Sequence, residues 1–449
     1  MKKKIMAIAV TAAMVAAVLG GCGADNKGDA SGEQISTESS DADTRGTESK
    51  SKSGDKITLS INWWGNQTRN DLTKKVIDLY MEQNPNVEIK AEFSDWSGYW
   101  DKLSAMAAGG SMPDIIQQDY SLISQYQQSG QLADLTPYIE DGTIDTKNIP
   151  EGVIESGSIE GKCYAVSLGS NAPLMLYDKA LVEQAGVTMP EQPTIDELYE
   201  IGEKIYETTG VKTYFDGGIG MMQIIARTNG SHLFDELSKG DSTAVLEHFQ
   251  NVERFSKSEA AISPDLLAEK NPDDVETKPL VDQTTWNDYP FSNQYISISN
   301  ASGRELGLCM CPTTVDAKSQ PMYLKPGMFF AVSETSEHKE EAAKFIDWFT
   351  NSVECNEILL GERGIPVNTE VAEAIKSKVD EKSALVFDYI AKVSEIAEPI
   401  DAPDPAGKGE IEAIARTMVE NVRYQELTAE EAAKDFTEQS QTILSEAKQ

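Results

Sequence analysis

The chain has 449 residues, and 74 acidic against 39 basic side chains give it a formal charge of −35 at pH 7. A surface that acidic repels nucleic acid and anionic lipid and suits an extracellular protein, so no nucleic-acid partner is expected. The length beyond residue 55 is too great for one typical domain and comfortable for two.

The chain opens with Lys2, Lys3 and Lys4, continues as an apolar run from Ile5 to Leu19, and reaches small residues before Cys22. That is the layout of a secretory signal. A permanent transmembrane helix needs roughly twenty apolar residues, so residues 1–21 are expected to be cleaved. Leu19-Gly20-Gly21-Cys22 resembles the bacterial lipobox, in which the cysteine is diacylated and becomes the first mature residue. Two acyl chains suffice for stable anchoring, which places the protein on the outer face of the cell membrane. Residues 22–55 are polar and small, with Ile35 the only large apolar side chain. Such a stretch is expected to be a disordered tether, letting the folded part stand about 30 Å from its anchor.

Ile57, Leu59 and Ile61 alternate as a strand, and Leu72, Val76, Leu79 and Tyr80 mark one face of a helix closed by Asn84-Pro85. Val87 to Phe93 alternates again, a strand–helix–strand unit that implies parallel pairing and a right-handed crossover. Asp101 to Ala108 reads as a helix, Pro113 to Ile116 as a buried strand, and Tyr120 to Ser129 as a helix stopped by Gly130. Thr194 with Glu197, and Thr428 with Glu431, have capping-box spacing ahead of amphipathic stretches. Alternation of this kind predicts two α/β lobes.

Catalytic signatures are sparse. His232, His248 and His338 have no metal-ligand spacing, and Cys309 and Cys311 read as neighbours on one strand face, so neither a metal site nor a cofactor is expected. Gly217-Gly218-Ile219-Gly220 lacks the last glycine of a dinucleotide loop, and there is no nucleophile elbow or Walker loop. What the sequence does offer is aromatic residues beside amides and acids in expected loops: Trp63 to Asn66, Asp95 to Trp100, Asp119-Tyr120, and Trp286 to Phe291. Sugars need this mixture, because one face of a pyranose packs on a ring while each buried hydroxyl needs a polar partner. Trp100 and Trp348 suit the core better than a pocket, and Trp63 suits either. Trp64, Trp96 and Trp286 are taken as pocket candidates. No enzyme is expected, although two carboxylates suited to glycan cleavage could always be nominated among so many.

These segments, together with Gly161 to Ala165, Leu176 to Lys179, Phe291 to Gln294, Pro326 to Ala331 and Gly361 to Pro366, resemble in order the family 1 extracellular solute-binding proteins. The resemblance implies a two-lobed, periplasmic-binding-protein-like α/β fold with ligand held in a cleft between lobes joined by crossing hinge segments. The expected first lobe is 56–167 with 319–364, and the expected second lobe is 168–318 with 365–449. Carried over by position, the implied ligand contacts are Trp64, Asn66, Trp96, Asp119, Tyr120, Asn171, Arg227, Phe291, Asn293, Gln294 and Arg363. Phe291 stands where the family usually has Trp. The implied function is capture of a sugar by a monomer and delivery to the membrane permeases of an ABC importer. A non-sugar solute and a glycan-cleaving enzyme are the competing readings.

Overall fold

The computed structural model describes residues 56–270 and 275–446. The expected signal segment 1–21, Cys22 and the tether 22–55 lie outside the described residues.

The first lobe is built on a five-stranded sheet in the order Val87–Ser94, Ile57–Trp64, Ile115–Gln118, Phe329–Val332, Ala165–Ser167. The first three strands pair in parallel, as the expected strand–helix–strand unit requires, and Phe329–Val332 runs antiparallel between its neighbours. Helices Gln67–Gln83 and Trp96–Ala108 connect the parallel strands. Asn66 caps the first by accepting from Arg69 N at 2.9 Å, and Asn84 ends it ahead of Pro85. Trp96–Ala108 starts five residues earlier than its hydrophobic pattern suggests, because Asp95 accepts from Gly98 N at 2.8 Å and so nucleates a turn that Gly98 alone would disfavour.

The second lobe holds a three-stranded antiparallel sheet, Leu306–Cys309, Met175–Asp178 and Asn287–Asp288, surrounded by helices. Helix Ile195–Thr209 carries the full capping box at Thr194 and Glu197 and ends at Gly210 with φ 75°. The same exchange joins Thr428 and Glu431 ahead of Ala429–Glu446. Cys163, Cys309, Cys311 and Cys355 are all buried free thiols.

Two apolar cores define the lobes. Leu59 to Leu168 and Met328 to Leu359 supply one, and Ala172 to Leu324 and Ile365 to Leu444 supply the other. Met322 and Leu324 pack in the second core, so the chain returns to the first lobe near Gly327 rather than at 318/319. Ile149 and Val153, expected in the first lobe, also join the second core.

Three segments cross between the lobes and are zipped together by backbone hydrogen bonds. Gly327 N donates to Gly169 O at 2.8 Å, Ser170 N to Ile365 O at 2.8 Å, and Ile365 N to Ser170 O at 3.1 Å. Glycine is required here by proximity. A Cβ on Gly169 would lie 2.4 Å from the Arg363 carbonyl oxygen, and one on Gly327 would lie 2.5 Å from the same atom. Gly364 adds a φ of 104°, which L side chains rarely adopt.

Candidate ligand-binding site

Nearest the crossing, Phe291 is bridged to Pro173 and has the Lys325 ammonium 4.6 Å from its ring centroid. Phe291 and Gln294 open onto a cavity of about 580 Å³ in the second lobe, whose walls include Tyr214, Asp216, Gly217, Gly218, Lys278, Asp288, Tyr289, Arg416, Arg423 and Tyr424. Of the residues expected at the ligand, this cavity gathers Phe291 and Gln294; the others named are additions. Asn293 is exposed beside them, and Asn171, on the crossing strand, accepts from Ser292 Oγ at 3.4 Å.

The floor of the cavity is the turn Asp216-Gly217-Gly218 leading into helix Ile219–Thr228. Asp216 Oδ1 accepts from Gly218 N at 2.9 Å and from the Tyr214 hydroxyl at 3.3 Å. Burial pushes the Asp216 carboxyl above its usual range, against the opposing pull of the Gly218 hydrogen bond and the Arg423 charge, and the nearby Asp288 charge adds to the rise. Gly217 lets helix Lys408–Arg423 approach, since a Cβ there would sit 2.4 Å from Val419 Cγ1. Lys278 and Asp288 form an ion pair at 2.9 Å with both side chains almost wholly buried.

His248 supports this floor from below. It is fully buried, its Nε2 lies 3.1 Å from the Gly217 carbonyl, and its Nδ1 has no partner. Neutral imidazole donates to that carbonyl, and burial holds its pKa down to about 3. The folded pKa therefore lies below the unfolded value of about 6.5. The stability it lends is complete above pH 6.5 and is lost as pH falls towards 3, with a slope of up to about 1.4 kcal/mol per pH unit. Thermal melts from pH 7 to 4.5 should show a steeper fall for the native protein than for His248→Gln, which titrates no proton there.

Several expected contacts lie elsewhere. Trp63 is fully buried, donates Nε1 to Asn70 Oδ1 at 2.9 Å and stacks on Phe93, so it is a core residue of the first lobe. Trp286 is likewise fully buried, with Nε1 on Thr213 Oγ1 at 2.8 Å, behind the cavity wall rather than on it. Arg363 is 2% exposed, pairs with Gln117, donates to Thr73 Oγ1 at 2.7 Å and lies over Phe330. Desolvation lowers its pKa to about 9, and its fork faces the first core, not a cleft. Arg227 is buried too, paired with Asp401 and donating to Pro321 O at 2.8 Å.

At the carboxyl ends of the first lobe's strands, where open α/β sheets bind ligands, Trp64 is buried within an aromatic cluster. Trp96, Tyr99 and Trp100 surround it at centroid distances of 4.9, 5.3 and 5.4 Å. Trp96 is the member left 48% exposed. Asn66 is spent partly on its helix cap, and Asp119 on a turn with Ser121. Tyr120 reaches the other lobe, donating to the Asp401 carbonyl at 2.5 Å.

Two lobes on three crossing segments, with a polar and aromatic cavity beside the crossing, is the architecture of a solute-binding protein. Residues 75–385 match the bacterial extracellular solute-binding protein family, and the chain belongs to it. An arabinooligosaccharide-binding protein of Bacillus subtilis (strain 168) is 30% identical over 113 residues, 24% of this chain and 25% of that protein. A maltooligosaccharide ABC transporter solute-binding lipoprotein of Streptococcus pneumoniae (strain ATCC BAA-255 / R6) is 22% identical over 319 residues, 68% of this chain and 72% of that one. The chain spans only about a quarter to a third of the first curated relatives it matches. Among solved structures, an extracellular solute-binding protein family 1 from Alicyclobacillus acidocaldarius subsp. acidocaldarius DSM 446 superposes with a TM-score of 0.79 at 25% identity. That match covers 87% of this chain and 99% of that one.

Proposed function

We propose that this protein is the substrate-binding lipoprotein of an ABC importer and that its solute is a carbohydrate. The observation that carries the reading is the second-lobe cavity, where Tyr214, Tyr289, Phe291 and Tyr424 stand among Asp216, Lys278, Asp288, Gln294 and Arg423. Flat apolar faces beside planar polar groups suit a ring whose hydroxyls must all be satisfied on burial. The oligosaccharides in the names of the two relatives support it. On the first lobe we assign the facing wall to Trp96 and the edge of Trp64, with Asn66 and Asp119 as polar contacts. Neither Trp63, Trp286 nor Arg363 belongs to the contact set.

Closure belongs to this reading: a ligand that touches both walls favours the form in which they meet, and only such a preference can shift the equilibrium. Titration calorimetry against a glycan panel should yield binding to at least one saccharide, with compaction in small-angle scattering and no cleavage on long incubation. Release of shortened glycans by catalytic amounts of protein would replace this reading with an enzyme. For the anchor, the Lys2 to Cys22 pattern and the relative named a lipoprotein are the support. Cys22→Ser should move the protein from the membrane fraction to the medium with ligand affinity unchanged; continued membrane retention would refute the lipid anchor.

A further inference from the structure

We infer that Arg363, acting through Gln117 and with the Arg69–Glu362 ion pair beside it, is a positioning residue that fixes the first-lobe aromatic wall against the segments crossing between the lobes. This rests on the assignment of Trp64 and Trp96 to the ligand wall above and adds what holds that wall in place.

The inference starts at the end of the strand Ile57–Trp64. Its pairing with Ile115–Gln118 stops at Asn62, so the Trp64 carbonyl is met by side chains instead. Gln117 Nε2 donates to it at 3.2 Å, and Arg69 Nη1 approaches it at 3.4 Å. Arg69 lies across Gly65, where a Cβ would fall 2.5 Å from its Cδ, and its Nε donates to the two Glu362 oxygens at 2.9 and 3.0 Å. Arg363, the next residue, donates from Nη1 to Gln117 Oε1 and from Nη2 to Thr73 Oγ1 at 2.7 Å. The Arg363 carbonyl is the atom against which Gly169 and Gly327 close in the crossing. A single residue thus joins the crossing to the main chain of Trp64.

The character of Arg363 supports the assignment. Its buried charge faces the rings of Phe330 and Phe349, at 5.5 and 5.7 Å, with the Glu362 carboxylate next along the chain. Burying such a charge carries a cost that an apolar side chain of similar size would avoid. What no apolar side chain could do is hold polar groups of two different segments in one rigid fork. Trp96 packs edge to face on Trp64 at 4.9 Å, so a shift of the Trp64 main chain moves the exposed indole as well.

The test is aromatic circular dichroism of the whole mature protein without ligand, joined to calorimetry with maltotriose and arabinotriose as probes. Trp96→Ala identifies the band that the Trp64–Trp96 contact contributes. Arg363→Lys keeps the charge but cannot reach Thr73 and Gln117 together, and Glu362→Gln removes the ion pair. Both should lose that band with the far-ultraviolet helix signal retained, and both should weaken the bound trisaccharide about 2- to 30-fold. Arg69→Lys can still pair with Glu362 and should keep most of the band that Arg69→Gln loses. Glu88→Gln breaks an exposed ion pair with Lys56 on the same sheet and should change neither band nor affinity. In a Trp96→Ala background the effect of Glu362→Gln on affinity should largely vanish, because the side chain it positions is gone. An unchanged band in folded Arg363→Lys and Glu362→Gln would overturn the inference, as would a loss of affinity fully additive with Trp96→Ala. If Arg363→Lys does not fold, Glu362→Gln and the two Arg69 variants decide the matter. Failure of both trisaccharides to bind would count against the saccharide reading, while the ligand-free band still decides this one.

Discussion

Trp286→Ala should destabilise the second lobe by about 3 to 5 kcal/mol, the range for truncating a large aromatic side chain in a packed core. The indole is fully buried, and its Nε1 holds Thr213. Loss of the ring would open a void next to the strand that presents Asp288 to the cavity. The unfolding midpoint of the mature protein is the readout, and Trp96→Ala is the comparison. Trp96 is half exposed, so its removal should shift the midpoint little while weakening the ligand. A Trp286→Ala protein as stable as the parent but with reduced affinity would return that indole to the pocket.

Gly169→Ala should alter how the lobes sit on one another and lower ligand affinity by at least tenfold. The added Cβ would fall 2.4 Å from the Arg363 carbonyl oxygen and 2.8 Å from Gly364 Cα, and both obstacles are backbone. Neither can rotate aside as a long side chain would, so the crossing segments must part and the hydrogen bonds joining Ser170 to Ile365 must stretch. Small-angle scattering of the unliganded variant should differ from the parent. Gly409→Ala, a helical position with nothing within 4 Å, should change neither scattering nor affinity. Identical scattering and affinity in Gly169→Ala would show that the crossing yields without consequence.

How much of this was legible beforehand depended on whether the signal was local. The Thr194–Glu197 box, the Asn84-Pro85 stop and the alternation of Ile57 to Ile61 are written within a few residues, and the elements stand where those signals put them. The hydrophobic pattern starts the helix at Asp101 and leaves Trp96 in the loop before it, whereas the Asp95 cap starts the helix at Trp96. In the Trp286 to Phe291 stretch the aromatic signal marked the correct segment but could not tell which side chains faced inward. Trp286 precedes the two-residue strand Asn287–Asp288, so packing and its bond to Thr213, not strand alternation, turn it into the core while Asp288 lines the cavity. Arg363 is the opposite case. Its partners Gln117 and Thr73 lie 246 and 290 residues away, and no local pattern shows that its two Nη groups are engaged. Asp216 carries no local mark either, since the spacing of Gly217-Gly218 does not show that Val419, some two hundred residues on, closes against Gly217.

The position of Phe329–Val332 has a bearing on how the chain is made. This strand lies between Ile115–Gln118 and Ala165–Ser167, so the first sheet cannot be completed until about three-quarters of the polypeptide has been synthesised. Pairings between residues so far apart in sequence are slow to form. The first core therefore closes only when a late segment of the chain inserts between two earlier ones.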